Sequence, residues 1–271
     1  LLKAEGTLEK KLAPRGIEVK WVEFPAGPQL LEGLNVGAID FGYVGEAPPI
    51  FAQAAGAQFV YVGHEDPAPR AEALIVQRDS PIKTVADLKG KKVALNKGSN
   101  VHYLLVRLLE KHGLKYTDIQ PVFLPPADAR AAFERGSVDA WVIWDPFTAA
   151  AQQQIGARII ADGTGVVNNY AFFLAEREFA TKRPDVIRDI FGVLQQTGQT
   201  INQNPKAAAE RIAPLQGLDQ AVVEQTVRNY SNVVKPISAP VLEAQQKLAD
   251  TFFELKLIPK EIRVKDASPP Q

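Results

Sequence analysis

Two hydrophobic patterns alternate along residues 17–174. Short runs rich in β-branched and aromatic residues have the two-residue period of strands, and the longer segments between them have the period of helices. This alternation predicts an α/β architecture with largely parallel sheets. The predicted strands are residues 17–24, 39–44, 58–62, 73–77, 92–95, 120–124, 138–143, 158–161 and 170–174. The predicted helices between them are residues 29–36, 48–55, 84–88, 101–112, 128–135 and 147–155.

The pattern changes after residue 174, where only helical periods remain. Helices are predicted over residues 184–203, 205–212, 220–229 and 240–255. At the other end the chain begins at Leu1 directly in a helical pattern, and no Met precedes it. We expect the natural protein to have a strand or a signal peptide before this point.

One pattern of residues occurs twice. A glycine that ends a helix is followed by a small residue, a β-branched residue, Asp and a strand, once from Gly37 and once from Gly136. In each copy the strand leads to a carboxylate and a proline that open the next helix. Ordinary punctuation between strands and helices would give the same pattern, but the repeat also fits two lobes of like topology. Such lobes would direct their strand ends to a common cleft, where open α/β sheets bind ligands.

The balance of charge and the absence of cysteine narrow the class of protein. Lys plus Arg and Asp plus Glu both total 31, so there is no basic excess of the kind that nucleic-acid-binding domains carry. Cysteine is absent, which excludes disulfides and thiolate metal sites. No apolar run approaches the roughly 20 residues that a membrane helix needs, so we do not expect the chain to span a membrane.

The turn at residues 97–100 carries the strongest chemical signal. A predicted strand leads into Gly98, which is followed by Ser99, Asn100 and an amphipathic helix. The unpaired amides and the dipole at a helix start can bind an oxyanion without a cation. Gly98 allows close approach of the backbone, and the Ser99 hydroxyl would donate a further hydrogen bond. The alternative is that Ser99 or Asn100 only caps the helix.

Two more residues are candidates for orienting a ligand. Gln29 follows a loop rich in proline and glycine at another helix start, where its amide would both donate and accept, although such loops are common. Trp144 ends a predicted strand, where its ring would line the apolar part of a ligand or pack in the core. Trp141 and Ile143 point to the opposite face from Val142, and Trp141 is expected in the core.

Three ionisable residues near these turns suggest catalysis, which we do not favour. Glu46 and Asp145 each precede a helix opened by proline, and we interpret both as helix caps rather than an acid–base pair. His102 lies in the first turn of a helix, where the dipole disfavours its charged form, and is either a neutral donor to the ligand or a surface residue. The histidines have no metal-ligand spacing and no nucleotide-binding motif is present. We therefore predict no catalytic residue, no metal and no cofactor.

Five longer segments resemble one protein family far more specifically than any of these short motifs. They resemble the periplasmic aliphatic sulfonate-binding proteins of bacterial ABC importers, which are related to the taurine- and nitrate-binding families. The resemblance is dense over residues 1–174 and looser in the helical part that follows. The segments are Glu23–Asn35, Gly45–Pro49, Ala94–Tyr103, Leu124–Arg130 and Ala140–Pro146.

This resemblance implies the type II solute-binding fold, in which two α/β lobes are joined by two hinge crossovers. Lobe one would comprise residues 1–77 and 171–271, and lobe two residues 78–170. The crossovers would lie near Gln77–Arg78 and Asn169–Tyr170. Members of the family have a further N-terminal strand, which we expect in the natural protein although it is not represented here.

The resemblance also implies binding without turnover by a periplasmic monomer. The protein would capture alkanesulfonates in the cleft between the lobes for sulfur uptake and deliver them to the permease of an ABC importer. Open alternatives are another small anion, such as taurine, a sulfate ester or nitrate, and an enzyme on the same fold. The implied ligand-binding residues are Gln29, Gly45, Glu46, Ala47, Gly98, Ser99, Asn100, His102, Trp144 and Asp145.

Overall fold

The structure is a computed structural model that describes residues 1–269. The described chain divides into two compact units, each with its own sheet. Unit 1 comprises Leu1–Asp66, Tyr170–Gln220 and the residues from Ser231 to the end of the described chain. Unit 2 comprises Pro67–Asn169 and Ala221–Tyr230. No helix among residues 1–269 is both long enough and apolar enough to cross a membrane.

The described residues form nine strands, twelve α-helices and several short 3-10 helices. The strands are β1 Phe41–Gly45, β2 Val60–Glu65, β3 Glu72–Val76, β4 Lys92–Leu95, β5 Gln120–Phe123, β6 Ala140–Trp144, β7 Arg158–Asp162, β8 Ala171–Ala175 and β9 Val234–Pro236. The α-helices are α1 Leu2–Glu5, α2 Thr7–Leu12, α3 Gly27–Asn35, α4 Ala47–Ala54, α5 Asn100–Lys111, α6 Pro126–Glu134, α7 Phe147–Ile155, α8 Arg177–Lys182, α9 Pro184–Gln203, α10 Pro205–Gln216, α11 Gln220–Asn229 and α12 Ala239–Glu254. The 3-10 helices are Ala13–Arg15, Pro69–Ala71, Val85–Leu88, Tyr116–Asp118 and Val264–Ala267.

Unit 1 has a four-stranded sheet in the order β1-β8-β2-β9, and every neighbouring pair in it is antiparallel. The prediction of a largely parallel sheet is therefore wrong for this unit. The reason is the return of the chain at Tyr170, because β8 enters between β1 and β2 and runs opposite to both. Apolar residues of β2, β8 and α9 form one core of this unit, with Phe173 and Phe191 in edge-to-face contact.

Unit 2 has a five-stranded sheet in the order β5-β4-β6-β3-β7. The pairs of β4 with β5 and β6 are parallel, whereas β3 is antiparallel to both of its neighbours. Each face of the sheet has its own core. Leu74 and Val142 lie in the core that includes α5, and Ile75 and Trp141 lie in the core that includes α6. Helices on both faces of the sheet account for the apolar character of its central strands.

Two strand predictions need correction. Residues 17–24 alternate as a strand does, but they form no strand in the described structure because no neighbouring segment supplies a hydrogen-bonded ladder for them. The three-residue strand β9 was missed, since it contains Pro236 and lies at a sheet edge, where proline is tolerated. By contrast, β4, α7, α9 and α11 match the predicted ranges.

The boundaries between the units also differ from the expected lobes. The first boundary was expected at residues 77/78 and lies at 66/67, because β3 pairs with β6 and β7 of unit 2. The second lies at 169/170, where the second crossover was expected, one residue before the expected end of lobe two. Residues 221–230 were assigned to lobe one, but they belong to unit 2. Side-chain hydrogen bonds explain this, since Gln225 bonds Gln152 (Nε2–Oε1 2.8 Å) and Asn229 bonds Asp145 (Nδ2–Oδ2 2.7 Å).

Candidate functional site

The predicted anion-binding turn follows β4 in unit 2. Gly98 has a φ of +75°, in the left-handed region that favours glycine, and Ser99 is extended and precedes the first residue of α5. The Ser99 hydroxyl and amide both donate to the carbonyl oxygen of Asn96, at 2.7 Å and 3.3 Å. The single hydroxyl proton is therefore used inside the turn, and Ser99 is only 2% exposed. Donation of this hydroxyl to a ligand stays a prediction, and it would require the bond to Asn96 to break.

A histidine side chain accepts a hydrogen bond from a backbone amide of the same turn. Gly98 N donates to His102 Nδ1 at 3.1 Å, and the other ring nitrogen of His102 lies 3.0 Å from the hydroxyl of Tyr116. The His102 side chain is fully buried, so the alternative of a surface residue is wrong. Burial and then the charge of Lys97 lower the pKa of His102 to about 4. The imidazole is therefore neutral at pH 7, as the helix position predicted.

Two backbone amides at the start of α5 have no hydrogen-bond partner among the described residues. The amides of Asn100 and Val101 are the first two of the helix, and within residues 1–269 they have no hydrogen-bond partner, either from a side-chain cap or from the backbone. The helix dipole adds partial positive charge at the same end. Among the donors of this turn, these two amides are therefore the ones that no group of the described residues uses.

The side chain of Asn100 connects the start of α5 to the start of β3 and to Asn169. Its amide nitrogen donates to Glu72 Oε2 and to Asn169 Oδ1 (3.2 Å). Glu72 is fully buried and lies opposite Trp144 in the ladder between β3 and β6. Asn169 in turn donates to the carbonyl oxygen of Ala68 at 2.8 Å. The structure thus brings Asn100 and Trp144 into one neighbourhood through Glu72.

Trp144 is half-buried at the end of β6. Its ring is in edge-to-face contact with Phe147, with ring centroids 6.2 Å apart, and it borders both cores of the unit 2 sheet. The predicted faces of the strand are confirmed, since Trp141 and Ile143 share one core and Val142 lies in the other. Trp141 is fully buried, as expected for a core residue. Trp144 therefore combines core packing with a partly exposed surface.

Asp145 is fully engaged inside unit 2. One carboxylate oxygen accepts from the amide of Ala149 in the first turn of α7 (3.0 Å), and the other accepts from Asn229 Nδ2 (2.7 Å). The Asp145–Pro146 peptide bond is cis, and the Asp145 carbonyl accepts from the hydroxyl of Tyr230 at 3.2 Å. Burial raises the pKa of the carboxyl group. The interpretation of Asp145 as a helix cap is confirmed.

The predicted residues of unit 1 meet where α3 begins. An added Cβ on Gly27 would lie 2.5 Å from Pro48 in α4 and 2.6 Å from Val44 in β1, so glycine permits the close approach of α3 to these two elements. Gln29 lies in the first turn of α3, and its side-chain oxygen is buried without a hydrogen-bond partner within residues 1–269. The turn beside it contains Gly45, the last residue of β1, and the fully buried Ala47.

Glu46 lies in that turn and is 3% exposed. One carboxyl oxygen accepts from the amide of Tyr170 at 3.2 Å, and the other is buried without a partner among the described residues. Its carbonyl oxygen accepts from Gln245 Nε2 at 2.6 Å. Burial raises the pKa of Glu46 to about 8. Glu46 occupies the N-cap position of α4, as expected, but its side chain makes no capping bond because the carboxyl group reaches Tyr170 instead.

Sequence reasoning missed three residues around the unit 2 turn, and it missed the ring contact of a fourth, Lys97. Glu72 and Asn169 hold Asn100, Tyr116 holds His102, and Lys97 places its ammonium group 5.4 Å from the centre of the Phe123 ring. No spacing rule connects positions so far apart in the sequence. Only the positive φ of Asn169, +53°, has a sequence signal, since asparagine tolerates this region. Within residues 1–269, no group of three or more His, Asp or Glu residues is arranged to hold a metal ion.

The class of protein follows from this architecture. One chain forms two α/β units with separate sheets, and a glycine turn leads to a helix start with unpaired amides, as in two-lobe solute-binding proteins. The alkanesulfonate-binding protein SsuA of Xanthomonas axonopodis pv. citri, in a structure with bound MOPS, superimposes with a TM-score of 0.93 at 45% identity. The match covers 98% of this chain and 92% of that one, and it confirms the expected fold.

Further comparisons lead to the family. The periplasmic aliphatic sulphonate binding protein SsuA of Escherichia coli matches with a TM-score of 0.90 at 46% identity, over all of this chain and 88% of that one. In sequence, an Escherichia coli K12 protein named for binding aliphatic sulfonates is 47% identical over 266 residues, which are 98% of this chain and 83% of that protein. A family model described as NMT1/THI5 like matches residues 13–208. The chain belongs to the NMT1/THI5-like family and, within it, to the aliphatic sulfonate-binding proteins.

Proposed function

We propose that this chain is the solute-binding component of an ABC importer and that it captures alkanesulfonates. The observation that carries the proposal is the likeness over nearly the whole chain to an alkanesulfonate-binding protein in complex with MOPS, which is itself an organic sulfonate. The start of α5 supplies a physical means of holding the head group, since two amides there are unpaired. The ligand would be bound and released without chemical change.

A sulfonate group matches the donors at the start of α5. It carries one negative charge over three oxygens and does not take up a proton near neutral pH, so it accepts hydrogen bonds at any physiological pH. Each charge-assisted hydrogen bond contributes about 1.5–3 kcal/mol net. Two such bonds from Asn100 and Val101, together with the helix dipole and buried apolar surface, are compatible with about −8 kcal/mol, which is micromolar binding.

The apolar part of the ligand would lie along Trp144. This side chain is half-buried, and Glu72 connects its strand to the Asn100 side chain at the other part of the proposed site. An aromatic surface beside an anion-binding helix start suits an alkyl chain with a charged end. Other small anions, such as taurine, sulfate esters and nitrate, remain alternatives that differ in charge, shape or apolar area.

Contacts between the ligand and residues of unit 1 stay predictions. Gln29 is favoured by a buried side-chain oxygen without a partner within residues 1–269. Gly45, Glu46 and Ala47 form the neighbouring turn. With a pKa of about 8, Glu46 is mostly protonated at pH 7, so it would not repel an anion there.

Binding without catalysis is supported by how two of the three ionisable candidates, Asp145 and His102, are used. Both oxygens of Asp145 and both ring nitrogens of His102 bond to other groups of the protein. Neither is therefore poised as a general acid or base. We propose that the protein works as a periplasmic monomer that passes its ligand to a transmembrane permease.

Calorimetry tests this proposal. We expect heat of binding with short alkanesulfonates such as ethanesulfonate, much weaker binding of taurine and nitrate, and no new product after long incubation with any of them. Binding of taurine or nitrate in preference to alkanesulfonates would change the assigned ligand. No binding of any of these anions, or formation of a product, would contradict the proposal.

A further inference from the structure

The turn before α5 is fastened by a buried imidazole. His102 lies in the first turn of the helix, and its Nδ1 accepts a hydrogen bond from the amide of Gly98, four residues earlier. On the other side of the ring, Nε2 lies 3.0 Å from the Tyr116 hydroxyl. The side chain is fully buried, so both contacts are made away from solvent. A side chain therefore closes a turn whose amide would otherwise need another partner.

These contacts define the tautomer of His102. A backbone amide can only donate, so Nδ1 must be the unprotonated nitrogen that accepts. The neutral ring then carries its proton on Nε2 and donates it to the Tyr116 oxygen. A doubly protonated ring would have no acceptor for Gly98. The depressed pKa of His102, about 4, agrees with a neutral ring at pH 7.

The hydrogen bond between Gly98 and His102 bears on the direction of the amides at the start of α5. Gly98 has access to more backbone conformations than any other residue type, and it adopts a positive φ here. On one side Ser99 closes the turn by donating twice to the Asn96 carbonyl. On the other side the contact with His102 Nδ1 holds Gly98 itself. Loss of this contact would let Gly98 rotate and would change the direction of the amides of Asn100 and Val101.

We propose that His102 is a positioning residue for sulfonate binding, because its Nδ1 holds the Gly98 turn in the conformation in which the first amides of α5 can bind the anion. This inference rests on the proposed function, since it concerns the same helix start. His102 itself would not contact the ligand, which departs from the expectation that it is a ligand-binding residue. It would act on the ligand only indirectly, by holding Gly98 in place.

Two amide substitutions separate this role from packing. In Asn the side-chain oxygen stands the same number of bonds from Cα as His Nδ1, so His102→Asn keeps an acceptor for Gly98 N–H. In Gln the amide stands one bond further out, at the level of Nε2, so His102→Gln keeps the Tyr116 side and loses the Gly98 side. Both variants shorten or reshape a buried side chain, and a role in packing alone would not favour the smaller Asn.

We expect His102→Gln to weaken ethanesulfonate binding about tenfold and His102→Asn to stay within about threefold of the wild type, because one hydrogen bond that orders the site is lost or kept. The Gly98 amide should exchange with solvent faster in His102→Gln than in His102→Asn. His112→Asn is the matched control, since His112 follows the last residue of the same helix, and its affinity should equal that of the wild type.

Three results would overturn the inference. They are equal affinities of His102→Gln and the wild type, an equal loss in His102→Asn and His102→Gln, and an unchanged exchange rate of the Gly98 amide in His102→Gln. If the buried variants do not fold, Tyr116→Phe replaces them. It removes the partner of Nε2, and we expect faster exchange at Gly98 with about threefold weaker binding; no change in either would also overturn it. If the wild type binds no sulfonate, the proposed function fails, while the exchange rates still test the fastening of Gly98.

Discussion

Glu46 shows how burial changes the charge that a residue brings to its surroundings. The sequence places a carboxylate before a proline-opened helix, where an acidic cap is common. In the structure this group is 3% exposed, accepts one hydrogen bond from the Tyr170 amide, and has a pKa of about 8 because desolvation disfavours its charged form. No sequence pattern reveals this burial, since it depends on β8 returning beside β1.

The pH dependence of unfolding tests this assignment. The folded pKa of Glu46 exceeds the value of about 4.5 expected when unfolded, so its contribution favours the folded state at low pH and is lost as the pH rises from about 5 to 8. Glu46→Gln keeps an acceptor for Tyr170 but does not ionise. Urea unfolding at about pH 5, 6.5 and 8 should therefore show the variant gaining stability relative to the wild type as the pH rises.

Glu32→Gln, an exposed change on α3, is the control for this comparison, and its difference from the wild type should stay constant. A difference between Glu46→Gln and the wild type that does not change with pH would contradict the assignment of a raised pKa to Glu46.

Trp144 is the residue whose environment a bound ligand should change most. The chain has three tryptophans; Trp141 is fully buried in the core, and Trp21 is exposed in unit 1. Ethanesulfonate should alter the tryptophan emission of the wild type and of Trp21→Phe, but not that of Trp144→Phe. A response that survives in Trp144→Phe would show that the ligand does not reach this side chain.

At the scale of elements, one carboxylate joins α7 to α11. Asp145 accepts from the first turn of α7 and from Asn229 at the end of α11, although these helices are far apart in sequence. The range of α11 could be predicted from its helical period, and so could the ranges of β4, α7 and α9. Its attachment to unit 2 could not, because it depends on polar pairs such as Gln225 with Gln152, which leave no periodic signal.

Removal of this carboxylate should loosen α11 specifically. Asp145→Ala deletes a helix cap and leaves Asn229 without this partner, so we expect a loss of about 2–3 kcal/mol in the free energy of unfolding. Hydrogen exchange should become faster in residues 221–230. Asp145→Asn should recover most of the stability, because its amide can still accept from Ala149 and the Asn229 amide can rotate to accept in turn.

Asp128→Ala is the control for this element, since Asp128 is an exposed acidic residue in the first turn of α6. It should not affect exchange in residues 221–230. Unchanged exchange there in Asp145→Ala would mean that other contacts hold α11.

At the scale of the whole molecule, the chain passes between its two units four times, at residues 66/67, 169/170, 220/221 and 230/231. The α/β class could be predicted from the alternation of periods, whereas the two-lobe fold was implied by the family resemblance, with which the repeated turns at Gly37 and Gly136 agree. The antiparallel sheet of unit 1 could not, because strand order depends on where β8 inserts and each strand alone has the same pattern in either direction. The turn at Gly98 could be predicted, but the groups that accept its hydrogen bonds, His102 Nδ1 and the Asn96 carbonyl oxygen, could not.

The central claim is that the amides at the start of α5 hold the anion. A crystal structure with a bound short alkanesulfonate tests this claim most directly. The account predicts sulfonate oxygens within about 3 Å of the backbone nitrogens of Asn100 and Val101, with Gly98 N still bonded to His102 and the alkyl chain against Trp144. A sulfonate bound elsewhere, with both amides left without a ligand, would contradict it.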